Sequence, residues 1–348
     1  MTAVTAKGVD AGVAAHYGDP LREQRALAGG AGVVDRGNRG VITVSGPERL
    51  SWLHNITTQH LSQLRPYQGT ETLVLSPHGH VEHHVTLVDD GETVWLDTEP
   101  GAAPALLDFL QRMRFFTQVE VADMSDGYAV LSCRGADVLG VRKLDLDPPD
   151  VLPLPGPKFR TGSVPTRPTA IYHGARLPGG GIVRRMPGGW TDIVLPRTAS
   201  GEPLAIGPRC GIWAYEALRV AARTPRFGVD TDHRTLPHEV GWLSTAVHLE
   251  KGCYRGQETV ARVHNLGRPP RRLVLLHLAG NSDHLPAPGT DVEAGGRRVG
   301  SLGTALHHFE LGPIALALVK RTVADDAELT AGGFVAAIDP DPNSVDTG

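Results

Sequence analysis

Chain-breaking residues recur every few positions: 42 glycines and 27 prolines in 348 residues. About a fifth of the chain therefore resists long uninterrupted elements, which argues against a helical bundle and favours many turns and short elements. The apolar runs between these breaks carry two periodicities. GVITVSG (40–46), ETLVLS (71–76), VEHHVTLV (81–88) and ETVWLD (92–97) alternate as strands, the last three as an antiparallel meander with turns at PHG and DDG. PERLSWLHNITTQHLSQL (47–64) places Leu50, Leu53, Ile56 and Thr57 at helical spacing, and GAAPALLDFLQRMRFF (101–116) does the same with Leu106, Leu107, Leu110 and Met113. Strands TQVEVAD and YAVLSC follow, and GIWAYEALRVAARTP (211–225) is a further helix stopped by Pro225. Helices mixed with antiparallel strands predict an α+β fold.

The stretch LDLDPPDVLPLPGPKFRTGSVP (144–165) is a proline-rich connection, and GGIVRRMPGGWTDIVLP (180–196) a hairpin turning at PGG. Past HNLGRPPRR only strand patterns occur, so residues 268–339 are predicted to form a small terminal β-barrel, with the RPP triplet as boundary. Residues 1–20 lack an apolar run and are expected to be a loosely held arm; 340–348 form a polar tail.

A net charge of -4 offers no field for gripping nucleic acid or anionic lipid. No run of about 18 apolar residues occurs and the first residues lack a secretory pattern, so the expected location is cytoplasmic, with no membrane association. Cysteines 133, 210 and 253 are too scattered for a disulfide framework or a four-thiolate metal centre. Histidines 78, 80 and 84, with Glu82, would share one strand face and could bind a metal; a solvated polar face explains the same pattern, and no metal is assigned.

The densest chemistry lies in KGCYRGQE (251–258). Gly252 and Gly256 flank Cys253, Tyr254 and Arg255, and QETVARVHN reads as a helix with Gln257 and Glu258 in its first turn. A thiol just before a helix N-terminus, with Lys251 nearby, is placed to favour thiolate, although a small buried core cysteine fits the same residues.

This octapeptide resembles the K-G-C-Y-x-G-Q-E signature of the YgfZ family of folate-binding proteins, which is related in fold to the T-protein of the glycine cleavage system. GVVDRGNRGVITVSGPERLSWLHNITTQ (32–59), GGWTDIVLP (188–196) and EALRVAARTPRFGVDTDHRTLPHEVGWL (216–243) are similar to other parts of that superfamily. The resemblance implies a T-protein-like three-domain fold: a folate-binding region over 21–267, built from two intertwined α/β units at roughly 51–140 and 21–50 plus 141–267, then the barrel. It implies tetrahydrofolate as cofactor and a role in iron–sulfur protein assembly or repair, with iron–sulfur client or assembly proteins as partners; the placement of Lys251 and the helix N-terminus beside Cys253 makes Cys253 and Lys251 the expected catalytic residues. Asp97, Trp190, Arg219 and Arg223 are the expected folate-binding residues, with Arg226 a further candidate for the glutamate tail.

The chain departs from the transferase pattern at two carboxylates. By alignment His83 and His84 occupy an aspartate pair, and the folate-orienting glutamate of an L-R-L-E-A-G segment falls on alanine after Leu218-Arg219-Val220. Two alternatives therefore stand beside the YgfZ-type reading. One is a tetrahydrofolate-dependent aminomethyltransferase, which needs a carboxylate facing N5 of folate, from Glu82 or Asp97. The other is a non-catalytic interaction module in which Cys253 is core.

Overall fold

The computed structural model describes residues 2–134, 172–177, 180–199, 207–280 and 284–340. The proline-rich connection at 144–165 and the tail beyond 340 lie outside the described residues.

Among the described residues three large sheets carry the fold, beside a two-stranded ribbon of Val4–Thr5 with Ala14–His16. The first is wholly antiparallel, in the order Gly69–Leu75, Val81–Asp89, Thr93–Thr98, Gly40–Ser45, Glu120–Asp123. The second runs Gly174–Arg176, Ile182–Met186, Trp190–Pro196, Tyr128–Arg134, Val33–Asp35, Arg209–Cys210, with only the last pair parallel. The third closes into a barrel of six strands between Arg271 and Asp339. Six helices accompany them among the described residues: α1 (Pro20–Ala28), α2 (Arg49–Ile56), α3 (Ala103–Arg112), α4 (Ile212–Ala221), α5 (Leu243–Ala246) and α6 (Gln257–Leu266).

The alternation of Gly40–Ser45 explains how the layers stack. Ile42 and Val44 join Leu53 of α2 and Leu106 and Leu110 of α3 in one core, whereas Val41 packs on Val130 and Val194 of the second sheet. Period-two side chains thus cover both faces of the first sheet, one with helices and one with the other sheet. Each fully buried leucine or valine here contributes about 1.5–3 kcal/mol relative to exposure.

The two units intertwine at different points from those the sequence suggests. The chain leaves the second sheet after Asp35, builds the first sheet from Gly40 to Asp123, and returns at Tyr128. The crossings therefore lie near 36–39 and 124–127, not at 50 and 140, because Gly40–Ser45 finds its partners in Thr93–Thr98 and Glu120–Asp123. Helix α2 is also shorter than its apolar pattern: Thr57 is extended, and its hydroxyl donates to Leu53 O at 2.8 Å. Leu61 and Leu64 still reach the core, from an irregular segment.

The N-terminal arm is docked, which corrects the expectation of a loose one. Ala6, Val13 and Ala15 are buried against Ile212, Ala214 and Leu218 of α4. Gly211 lies so close to the arm that a Cβ would stand 2.1 Å from Ala15 O. Short apolar residues separated by turns are enough to dock it where glycine lets backbones approach, a signal too sparse to read as an amphipathic run.

Candidate functional site

A cavity of about 610 Å³ is bounded by both large sheets, by α4 and by the barrel residues His308, Phe309 and Glu310. Its size suits a small-molecule ligand. Trp190, Tyr172 and Tyr215 supply flat apolar surface, with the Trp190 and Tyr215 rings 4.7 Å apart. Arg36 stacks over Tyr215 at 4.1 Å and its Nη1 donates to Ser132 Oγ, which in turn donates to Asp192 at 2.6 Å.

Ion pairs fix the walls. Arg39 Nε donates to Asp97 at 2.7 Å and its Nη1 to Glu99 at 2.5 Å; Arg226 Nε meets the other Glu99 oxygen at 2.6 Å. Arg219 binds Glu216 through Nη2 and Nε at 2.6 and 3.0 Å, Asp230 at 2.7 Å and Thr304 Oγ1 at 2.7 Å. Burial disfavours the charged form of Glu99 and Glu216, but facing guanidiniums outweigh it and hold both carboxyls below their usual range. The cavity therefore keeps a fixed lattice of charges that needs no reorganisation when a polar ligand enters.

Of the expected folate residues, Trp190 and Arg219 line this cavity, as does Arg226. Asp97 does not. It is buried behind the wall between Arg39 and Arg184, which overcome its desolvation and keep its carboxyl low. Arg223 also stays out: at φ 52 it turns toward the barrel and donates to Asp339 Oδ2 and the Asp339 carbonyl at 3.2 and 3.1 Å. The carboxylates that do reach the cavity include Glu71, Glu99, Asp192 and Glu216, none of them singled out by sequence patterning. Arginines 36 and 39, in the crossing DRGNR (35–39), were the signal to read: charges with no amphipathic face, set between two strands.

Histidines 83 and 84 part company on their strand. His83 packs near Phe109 on the core side, where burial pulls its imidazole down to about 4. His84 faces the cavity with its Nε2 2.8 Å from Glu71 Oε2. His78 and His80 belong to the turn before the strand, their amides on Ser76 Oγ, so the shared face with Glu82 and His84 does not form. Glu82 instead pairs with Arg255 at 3.0 Å. No group of histidines, cysteines or carboxylates suited to a metal occurs among the described residues.

The KGCYRGQE loop packs beside that turn. Gly256 has φ 82, and a Cβ on it would stand 2.6 Å from Ser76 O, so only glycine fits. Tyr254 is buried among Leu73, Leu75, Val81 and Trp242, and burial pushes its phenol up to about 12. Gln257 begins α6, with Glu258 in the first turn, where the helix dipole suits a carboxylate. Lys251, 5% exposed, is turned inward: its ammonium donates to the carbonyls of His54, Thr57 (2.5 Å) and Gln59 (3.2 Å), closing the end of α2. Burial pulls that ammonium down to about 8. Gly252 has open space around it and Cys253 is exposed. Neither Cys253 nor Lys251 lines the 610 Å³ cavity, so the loop and the cavity are separate features.

Comparisons with known proteins fit this geometry. Residues 14–141 match the GCVT N-terminal domain and residues 271–342 the CAF17 C-terminal beta-barrel domain. A putative chloroplastic transferase of Arabidopsis thaliana is 27% identical, over 90% of this chain and 71% of its own length. An aminomethyltransferase of Streptomyces coelicolor is 26% identical, over 87% and 82%. The crystal structure of the glycine cleavage system aminomethyltransferase T from Bartonella henselae superposes with a TM-score of 0.77 at 19% identity, covering 96% of this chain and 92% of that one, which shows the fold. With an N-terminal GCVT domain, a CAF17-type barrel and this shared architecture, the chain belongs to the aminomethyltransferase-like superfamily of the glycine cleavage T-protein, as a YgfZ/CAF17-like member.

Proposed function

We propose that the 610 Å³ cavity binds a reduced folate, tetrahydrofolate or a one-carbon derivative, and that the chain serves iron–sulfur protein assembly or repair as a YgfZ-type protein. The observation carrying the folate reading is the cavity's composition: Trp190, Tyr172 and Tyr215 offer faces for a flat ring, beside fixed carboxylates and guanidiniums able to meet ring donors and a glutamate tail. The similarity to aminomethyltransferases supports the same ligand class. For the cellular role the support is the KGCYRGQE loop, whose exposed thiol is presented on a turn braced by Gly256, Tyr254 and Lys251.

Aminomethyl transfer is less well supported. Glu82 pairs with Arg255 away from the cavity and Asp97 lies behind its wall, so neither carboxylate expected to face N5 is placed to do so.

Because Trp190 lines the cavity, its fluorescence reports occupancy. Titration with tetrahydrofolate under anaerobic conditions is expected to give saturable quenching that shrinks in Trp190→Phe. Unchanged emission across the titration contradicts the folate reading. For the cellular role, Cys253→Ala is expected to bind folate normally and fail to restore iron–sulfur enzyme activity in cells lacking the protein; full restoration contradicts a role for the thiol.

A further inference from the structure

Successive residues of Val81–Asp89 point to opposite faces, and this puts His84 in the cavity wall. Three contacts lock its ring and backbone. Glu71, diagonal to it on the neighbouring strand, where Leu73 is the direct partner, places Oε2 2.8 Å from Nε2. The Trp242 indole lies flat on the imidazole, centroids 4.5 Å apart and planes 11° from parallel. The Thr98 hydroxyl donates to the His84 carbonyl at 2.9 Å.

An apolar pair would close this wall without the desolvation that a largely buried imidazole and carboxylate incur. The neighbouring pairs Arg39–Glu99 and Arg219–Glu216 also line the cavity, but guanidiniums hold their protons at any accessible pH. Imidazole exchanges protons near neutrality. The other cavity imidazole, His308, is committed to a turn: its Nδ1 receives the amides of Glu310 and Leu311, each at 3.2 Å. Glu71 and His84 therefore form the cavity pair best held to move a proton, a titratable ring fixed on one face and at one nitrogen.

We propose that Glu71 and His84 are a proton-exchanging pair for the basic ring amine, N5, of a bound reduced pteridine. With Nε2 held by Glu71, the exchanged proton is the one on Nδ1. When the ligand binds, one proton is taken up from the buffer onto Nδ1 and passes from the imidazolium to the amine lone pair, leaving a neutral imidazole and a protonated amine; on release it returns to the buffer by the same route, no other bond changes and nothing is oxidised. The Glu71 carboxylate keeps its charge and steadies the ring in both states. This inference rests on the folate reading above and assigns the ring-amine end of that ligand to the first sheet.

The test is calorimetric titration of the full chain at pH 7 with tetrahydrofolate and with its 5-formyl derivative, whose N5 is acylated and not basic. Each titration is run in phosphate and in Tris, whose ionisation enthalpies differ, so that proton exchange is read directly. Wild type is expected to exchange a fraction of a proton up to about one with tetrahydrofolate and none with the 5-formyl compound. Glu71→Gln and His84→Gln are expected to abolish the exchange and weaken tetrahydrofolate about tenfold, with the 5-formyl compound changed less than about threefold. If His84→Gln lacks a cooperative melting transition, Glu71→Gln decides, since it keeps the side chain's shape. Binding of both ligands with the same proton exchange in wild type and variants overturns the pair and leaves the folate reading standing. Failure of wild type to bind either ligand overturns both.

Discussion

Arg226 grips Asp10 through both terminal nitrogens, at 2.7 and 3.0 Å, across 216 residues of sequence. The same guanidinium donates to Glu99 and lies 3.4 Å from Glu216. One cavity-lining side chain thus joins the N-terminal arm, the first sheet and α4. Asp10→Ala removes the arm's share of this network while leaving Arg226 two other carboxylates. A loss on the order of 1–3 kcal/mol is expected in urea unfolding, with release of residues 2–16 to protease; an arm that stays protected would show that its apolar contacts alone hold it.

Lys251 closes the carbonyl end of α2, so Lys251→Gln is expected to cost stability rather than ligand affinity. Three buried carbonyls lose a charged donor, for a loss on the order of 2–4 kcal/mol. Thermal melting with parallel folate titration separates the effects: a lowered transition with unchanged affinity is expected, and weakened binding in a fully folded variant would assign the lysine a direct role in the ligand site.

The three thiols should differ sharply in reactivity. Burial pushes Cys133 and Cys210 up to about 12, whereas Cys253 is exposed. Native protein treated with iodoacetamide is expected to take up one label, mapped by mass spectrometry to Cys253, and all three only after denaturation.

Acid should weaken the fold through buried neutral histidines. Burial pulls His83 down to about 4, while an unfolded histidine titrates near its ordinary value of about 6.5. Below the unfolded value the unfolded chain binds the extra proton, so stability is complete above about pH 6.5 and falls as pH drops toward 4. His83→Phe, which keeps the contact with Phe109, is expected to recover on the order of 2–3 kcal/mol of the difference between pH 7 and pH 4 in urea unfolding. An unaltered pH dependence would place the titrating group elsewhere.

Local pattern carried the elements well. Alternation identified Gly40–Ser45, Val81–Asp89 and Thr93–Thr98, the glycines of PGG marked the hairpin at 187–189, and the change to strands alone after Pro270 located the barrel. Contacts between distant segments were invisible. Asp97 looked like a ligand because it ends a strand, and only tertiary structure brings Arg39 and Arg184 onto it. Lys251 looked like an activator of its neighbour Cys253, yet its long side chain reaches the end of α2 instead. Glu71 carries no motif at all; two strands had to pair in register before it met His84. Period and turn chemistry are local properties, whereas a cavity wall is assembled from side chains far apart in sequence.

The claim that this cavity is a folate site is tested most directly by calorimetric titration of tetrahydrofolate into wild type and into Ala221→Trp, whose indole would occupy the cavity beside Leu218. Saturable binding at one ligand per chain in wild type, lost in a folded Ala221→Trp variant, is the expected result. Absence of saturable binding in wild type, or equal binding by the variant, would contradict it.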